Sequence, residues 1–277
     1  MPGAAADGII AGMETTPEGS GAAPGARQAP LMIDARDLVR RFGGETALSG
    51  VTFAASAGER IAVVGRNGAG KTTLLRLLAA MIPADSGALA VAGLDVFRDP
   101  LGVKAAVGYL PEGAPLDPAL GVASYLRFRG ALRGMPRRRL RRRLHEVADF
   151  CDLARLLRLP IRALSAGQRR SVALADSILH DPRVLLLDDP LAALDPLQAR
   201  KFAAMFSSPA VSAGRLVVFA THDVSLVRSA ATRVLVLERG RLVGDLPALP
   251  PGADLPDVFE SCSKAASAAA AKGETAR

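Results

Sequence analysis

The apolar positions of this chain fall into short dense runs separated by Gly- and Pro-containing turns, and the runs change period along the sequence. Leu31, Ile33 and Ala35 alternate; after a break, Val39 and Phe42 carry the pattern to Gly43-Gly44, which predicts a strand and then a turn. Val51 to Ala55 reads as a second strand, and Ile61 to Val64 as a third, apolar on both faces. A Gly-rich loop and a helix from Thr72 to Met81 follow, with shorter strands near Ala88 to Val91 and Val107 to Leu110. The middle reads as two helices, Ala119 to Leu132 and Arg137 to Cys151, the second with Leu140, Leu144 and Val147 on one face. Helix and strand then alternate: Ser165 to His180, Arg183 to Leu187, Pro196 to Phe206, Leu216 to Ala220. Thr232 to Leu237 and Arg241 to Val243 predict a closing hairpin. The alternation is that of an α/β fold.

The flanks look different. Residues 1–30 are Ala, Gly and Pro with little periodicity and read as a disordered tail; from about 246 the chain is Pro-rich, then Ala-rich, an extension ordered only in part. The 277 residues are 49% apolar and 22% charged, enough for a sizeable core, which excludes collagen-like, coiled-coil and wholly disordered chains. No stretch approaches the roughly 18 apolar residues of a membrane helix. Cys151 and Cys262 have no metal-like spacing, and the first 30 residues show no secretory pattern, so a reducing cytoplasmic compartment is expected.

Charge adds one local feature. The chain carries a formal +8, yet residues 127–143 hold nine arginines and no acid, so the remainder is close to neutral. The plain reading is a solvated helix face, with Leu140, Leu144 and Val147 inward and the arginines outward. Anionic headgroups are a second reading; a nucleic-acid role is disfavoured, because the charge is one patch and not spread over several elements.

The chemistry begins at Gly65-Arg66-Asn67-Gly68-Ala69-Gly70-Lys71-Thr72, followed by Thr73, which fits G-x-x-x-x-G-K-[ST] between an apolar strand and a helix. Glycines let successive backbone N–H groups curl around phosphate oxygens, and the helix N-terminus adds its positive end. Lys71 is placed to bridge the β- and γ-phosphates, and Thr72 to ligate Mg²⁺. Four fixed positions arise by chance in about one chain in a hundred of this length, but the strand–loop–helix context selects a nucleotide phosphate site over a bare turn. No internal repeat appears, so one such unit is present.

A second constellation follows. Val184 to Leu187 is a buried run ending in Asp188, suited to hold Mg²⁺ beside a phosphate loop. Leu164-Ser165-Ala166-Gly167-Gln168 opens a helix upstream, and Ala193-Leu194-Asp195-Pro196 and Thr221-His222-Asp223 lie downstream. In this order the motifs resemble the ATP-binding cassette family, over about Leu31 to Asp245, with Val107-Gly108-Tyr109-Leu110-Pro111-Glu112 similar to export-type cassettes. The resemblance implies a phosphate-loop core with a mainly parallel sheet, an N-terminal antiparallel β subdomain and a helical subdomain at about 113–182. It implies that Phe42 stacks on adenine, where the residues alone also allow a strand-core Phe. Glu112 becomes the residue sensing Mg²⁺ and the attacking water on a loop facing the membrane partner, against the plainer reading of an exposed loop acid. Ser165, Gly167 and Gln168 become the signature that closes on a nucleotide held by a second cassette. Asp195 speaks across the dimer or merely caps a helix, and His222 reaches the γ-phosphate.

Two positions depart from the family. Asp189 stands where a Glu usually orients water, drawing the carboxylate back by one methylene, and Ala166 replaces the signature's first Gly. Slow hydrolysis is therefore expected. The implied protein is the ATPase subunit of an exporter, peripheral on the cytoplasmic face of the membrane. It needs ATP, Mg²⁺, integral-membrane permease subunits and a second cassette, expected to be its own copy. Rivals are a cassette ATPase acting on ribosomes or DNA and a regulatory cassette that does not hydrolyse. Only 96 positions separate Lys71 from Gly167, with no sustained heptads, which disfavours the first rival.

Overall fold

The computed structural model describes residues 29–192, 194–207, 214–249 and 252–274. The N-terminal segment read as a tail lies outside these residues, save its last two.

In chain order the elements are β1 (Leu31–Phe42), β2 (Glu45–Ser56), β3 (Arg60–Val64), α1 (Lys71–Leu78), β4 (Ser86–Val91), β5 (Leu94–Asp95), α2 (Pro100–Ala106), β6 (Val107–Leu110), α3 (Val122–Leu132) and α4 (Arg137–Phe150). A 3₁₀ turn at Ile161–Ala163 precedes α5 (Ala166–Ile178), and β7 (Val184–Asp188), α6 (Pro196–Ser207), β8 (Leu216–Ala220), α7 (Val224–Ala230), β9 (Arg233–Glu238), β10 (Arg241–Leu246) and α8 (Leu255–Glu274) follow.

They form two sheets. The first is antiparallel, in the order β2-β1-β4-β5; the second runs β10-β9-β3-β8-β7-β6 and is parallel except for β10. Period-2 alternation divides the parallel strands between two cores. Ala62 and Val64, Leu185 and Leu187, Val217 and Phe219 face the core shared with α3, α4 and α5. Ile61 and Val63, Val184 and Leu186, Leu216 and Val218 face the core shared with the antiparallel sheet and α1. These strands read as unbroken apolar runs because both faces are covered.

Differences from the sequence reading have local causes. The break after Ala35 is a bulge within one continuous β1, with Asp37 at φ 50° and the register against β2 shifted between Ala35 and Leu38. The strand expected at Val51 begins at Glu45, because the hairpin pairs Phe42 with Glu45. Helices α2 and α7 are short; each begins at an aspartate whose side chain accepts from backbone N–H groups, Asp99 from Gly102 and Asp223 from Ser225 and Leu226. The Ala-rich extension forms α8, which buries Leu255, Val258 and Cys262 at helical spacing. Gly244 of β10 admits the Cys262 side chain, since a Cβ there would collide with its Sγ.

The arginine-rich segment corrects the outward-facing expectation. Four of the nine arginines turn toward α5 and its C-terminus. Arg129 Nε donates to both oxygens of Asp176 at 3.1 and 3.0 Å, and Arg133 Nη1 to Oδ1 at 2.7 Å. Arg143 donates to the carbonyls of Leu179 and Ile178, and Arg139 to that of His180. The last carbonyls of a helix lack intrahelical donors, and guanidinium groups supply them.

Candidate nucleotide and hydrolysis site

The parallel topology brings the chemistry to one edge. β3 ends at Val64 just before Gly65, β6 just before the Pro111-Glu112 loop, β7 at Asp188 and β8 before Thr221-His222. All four run the same way, so these four ends lie along the carboxyl edge, where open α/β sheets bind ligands.

The phosphate loop is held from behind. A Cβ on Gly65 would collide with the Leu237 carbonyl, and one on Gly70 (φ 104°) with the Ala47 carbonyl of the β1–β2 hairpin. Residues 66–68 are exposed, whereas Ala69 is buried. Lys71 Nζ donates to the carbonyls of Gly65 (2.8 Å) and Arg66 (3.1 Å), so the ammonium lies over its own loop. Partial burial lowers its pKa, an effect opposed by Asp188, Asp189 and Glu112. Thr73 is half-buried on the first turn of α1.

Thr72 Oγ1 donates to Asp188 Oδ1 at 3.1 Å, and the Tyr109 hydroxyl to Oδ2 at 3.4 Å. Burial raises the Asp188 pKa, with Glu112 adding to the rise and the Thr72 hydrogen bond opposing it. A hydroxyl and a buried carboxylate side by side are hard oxygen donors suited to Mg²⁺ that brings phosphate oxygens and water with it. Among the described residues no cluster of three His, Cys, Asp or Glu side chains could hold a metal alone.

Asp189 adopts φ 41°, in the left-handed region. Its amide donates to Ala220 O at 3.0 Å, and its Oδ2 lies 3.1 Å from His222 Nδ1. Burial raises the Asp189 pKa; His222 and Arg170 pull it down, while Glu112 pushes it up. Glu112 is exposed on the loop after β6. Phe42 is 45% exposed at the end of β1, with the Arg40 guanidinium 4.6 Å from its ring centroid; the strand-core alternative for this residue is not what forms.

The Ser165–Gln168 segment closes on itself. Ser165 Oγ accepts from the Gln168 amide, and Gln168 Oε1 accepts from the Ser165 amide, a capping box opening α5. Gly167 packs against the Gln198 side chain of α6, whose amide would have to swing aside to admit a Cβ. The groove beside Gly167 and Gln168 is lined by Ser171, Leu194, Gln198 and Lys201, and by no residue of the phosphate loop. Asp195 Oδ1 accepts from the amides of Leu197 and Gln198, so the helix cap is realised. The fold thus gathers the phosphate loop, Asp188, Asp189, Glu112 and His222, and leaves the signature apart from them.

One buried side chain beside the site escaped the sequence reading. Arg170 is 6% exposed, and its guanidinium reaches five backbone carbonyls. In sequence it is one of three consecutive basic or polar residues after Gln168, and only the burial of α5 distinguishes it.

A phosphate loop facing a strand-end carboxylate, with an antiparallel sheet on one side and a helical segment on the other, defines an ATP-binding cassette. The profile of the ABC transporter family matches residues 48–192, and the chain belongs to that family. It is 31% identical over 220 residues to Nod factor export ATP-binding protein I of Ralstonia nicotianae, covering 79% of this chain and 68% of that protein. It is 36% identical over 208 residues to daunorubicin resistance ATP-binding protein DrrA3 of Streptomyces coeruleorubidus (74% and 65%). To the cell division ATP-binding protein FtsE of Streptococcus pneumoniae it is 32% identical over 219 residues (77% and 95%). Among solved structures, the ATP-binding subunit of an ABC transporter superposes with a TM-score of 0.75 at 23% identity, over 84% of this chain and 99% of that one.

Proposed function

We propose that this chain is the ATP-hydrolysing subunit of an exporter whose membrane-spanning chains are separate polypeptides. The observation that carries the reading is the convergence of Lys71, Thr72, Asp188, Asp189 and His222 at one sheet edge, with the signature held elsewhere. A site so divided needs a second cassette to supply the signature, and a second copy of this chain can do so. Export as the direction rests on the Leu110-Pro111-Glu112 loop and on the names of relatives described by export and resistance.

Each residue then has a task. The loop amides of residues 65–70 and Lys71 take the β- and γ-phosphates, and Phe42 stacks on adenine. Mg²⁺, held by Thr72 and Asp188 and sensed by Glu112, would neutralise phosphate charge. Asp189 orients and polarises the attacking water, while His222 leaves its carboxylate for the γ-phosphate. Ser165, Gly167 and Gln168 close over the nucleotide of the partner cassette, and Asp195 transmits across the interface. Binding closes the pair, and hydrolysis with phosphate release reopens it.

The permease contact is assigned to the open groove of about 640 Å³ beside the Glu112 loop, lined by Arg76, Lys104, Tyr109, Pro111, Gly113 and Leu132 among others. With that contact the chain works at the cytoplasmic face of the membrane. The test is to solubilise native membranes with the chain tagged at its N-terminus. Co-purification of a polytopic membrane protein, lost when the loop around Glu112 is altered, supports the transporter. Ribosomal or nucleic-acid partners without a membrane protein overturn it.

A further inference from the structure

Arg170 occupies an unusual position for a charged side chain. It lies on the second turn of α5, buried, and no carboxylate among the described residues is hydrogen-bonded to it. Every N–H of the guanidinium instead meets a backbone carbonyl. Nη1 donates to Pro111 O (2.5 Å) and Glu112 O (2.7 Å); Nη2 donates to Asp188 O and Asp189 O, both at 2.8 Å; Nε donates to Pro190 O at 3.3 Å.

The acceptors come from two segments that share no covalent proximity. Pro111 and Glu112 leave the end of β6, and Asp188 to Pro190 leave the end of β7. The planar fork makes this possible, because its two amino groups diverge in one plane and serve different partners. A lysine ammonium at the same place has three donors on one atom and could satisfy only one side. The Asp189 peptide is fixed from both directions, its amide by Ala220 and its carbonyl by Arg170, and this holds the left-handed φ of 41°.

We propose that Arg170 is a positioning residue that ties the Glu112 loop to the Asp189 turn, so that displacement of the loop is transmitted to the hydrolytic carboxylate. The inference rests on the reading of Asp189 as the water-orienting group and of the Glu112 loop as facing the permease. It adds a link inside one chain, carried by α5, whose first turn is the signature itself.

The experiment compares full-length Arg170→Lys, Arg170→Met and Asp189→Asn with the parent. Arg170→Lys keeps the charge and loses the span, so kcat falls at least about 10-fold with the KM for ATP within about 2-fold. Arg170→Met loses both. It shows the same loss of kcat, because neither segment keeps the donor they share. A merely structural role would instead loosen the chain as a whole and raise exchange well beyond the two segments. Amide hydrogen exchange needs no turnover: in Arg170→Lys, segments 111–114 and 188–192 should both exchange at least about 10-fold faster. Wild-type kcat in Arg170→Lys, or faster exchange confined to one segment, overturns the link. If Asp189→Asn is inactive while Arg170→Lys is unimpaired, the link alone fails; if Asp189→Asn hydrolyses normally, the underlying reading fails.

Discussion

Asp189 Oδ2 and His222 Nδ1 lie 3.1 Å apart, each occupying the other's polar atom across the ends of β7 and β8. The imidazole is largely exposed, its side chain at 77%, and Asp189 holds it on the buried side of the edge. In the proposed mechanism the γ-phosphate takes this pair apart.

The first prediction follows from that carboxylate. Asp189→Asn should reduce kcat at least about 100-fold, the scale of losing a general base. Asp189→Glu, restoring the reach of the usual residue, should raise kcat by up to about 10-fold. The pH dependence has a defined sign. Burial raises the Asp189 pKa in the nucleotide-free site, and the ionised form is the active one, so the acid limb of kcat/KM should lie at higher pH than an ordinary Asp would give. Glu112 contributes to the rise, so Glu112→Gln should move the limb to lower pH. Steady-state ATPase profiles check both; an acid limb unmoved in Glu112→Gln argues against the assignment.

Asp188 makes a second prediction, in stability. Its pKa is raised by burial, so the folded state binds a proton more tightly than the unfolded chain does. Stability from this group is therefore greatest at acid pH and is lost as pH rises from the unfolded value through the raised folded one. At neutral pH the ionised carboxylate is a cost. Asp188→Asn keeps an acceptor for Thr72 and removes the charge, so the nucleotide-free protein should melt at a higher temperature than the parent. The rise in Tm that Mg²⁺ and ATP give the parent should vanish in the variant. Thermal unfolding with and without nucleotide measures both, and a lower Tm in the nucleotide-free variant would contradict the account.

Much of this architecture was legible in the residues. Strands β3, β7 and β8 each hold a short unbroken apolar run, Ile61 to Val64, Val184 to Leu187 and Leu216 to Ala220, and turn residues follow, so their limits were nearly fixed by pattern. The phosphate loop and Asp188 follow from motif chemistry that backbone geometry demands. What stayed hidden depends on partners distant in sequence. Arg170 and Arg133 look like surface charges until α5 is packed beneath the loops and α3 beside it. The extension after 246 carries too few large apolar residues to announce α8, which earns its place through three side chains against β9 and β10. Phe42 was legible through the motif and not through the pattern: an aromatic in a strand pattern is ordinarily core, and its place at the last pair before the hairpin turn exposes it.

Asp176 makes a third prediction. It sits 8% exposed on α5, accepting from Arg129 and Arg133 at one wall of the groove beside the Glu112 loop. Removing the acid leaves two half-buried guanidinium groups facing each other without a counter-charge. Breaking a buried pair costs about 3–5 kcal/mol, and the residual exposure of Arg129 places this one at the lower end. Asp176→Ala should therefore lose about 3 kcal/mol in urea unfolding, whereas Arg142→Ala, whose partner Glu146 is exposed, should change stability by less than about 1 kcal/mol. Equal effects of the two substitutions would show that the clamp is not structural.

The last prediction concerns the arginines that α5 does not use. Arg127, Arg137, Arg138, Arg141 and Arg142 are exposed on the α3–α4 hairpin, as are the apolar Phe128 and Leu132. Arg127, Arg137, Arg141 and His145 rim a groove of about 550 Å³ floored by Ala131, Leu140 and Leu144, with no acid in its lining. A basic rim over an apolar floor suits an anionic amphiphile better than a nucleic acid, whose bases would want polar or aromatic partners. At a membrane surface each such charge contributes about 1 kcal/mol. The full-length chain should therefore float with vesicles containing phosphatidylglycerol and stay behind with phosphatidylcholine alone, with binding that weakens as salt rises. Replacing Arg127, Arg137 and Arg141 together by Gln should weaken that binding about 100-fold, the equivalent of about 3 kcal/mol. The affinity for ATP should be unchanged, because none of the three touches the phosphate edge. Binding to RNA that the triple substitution abolishes, without any vesicle binding by the parent, would reassign the patch to nucleic acid.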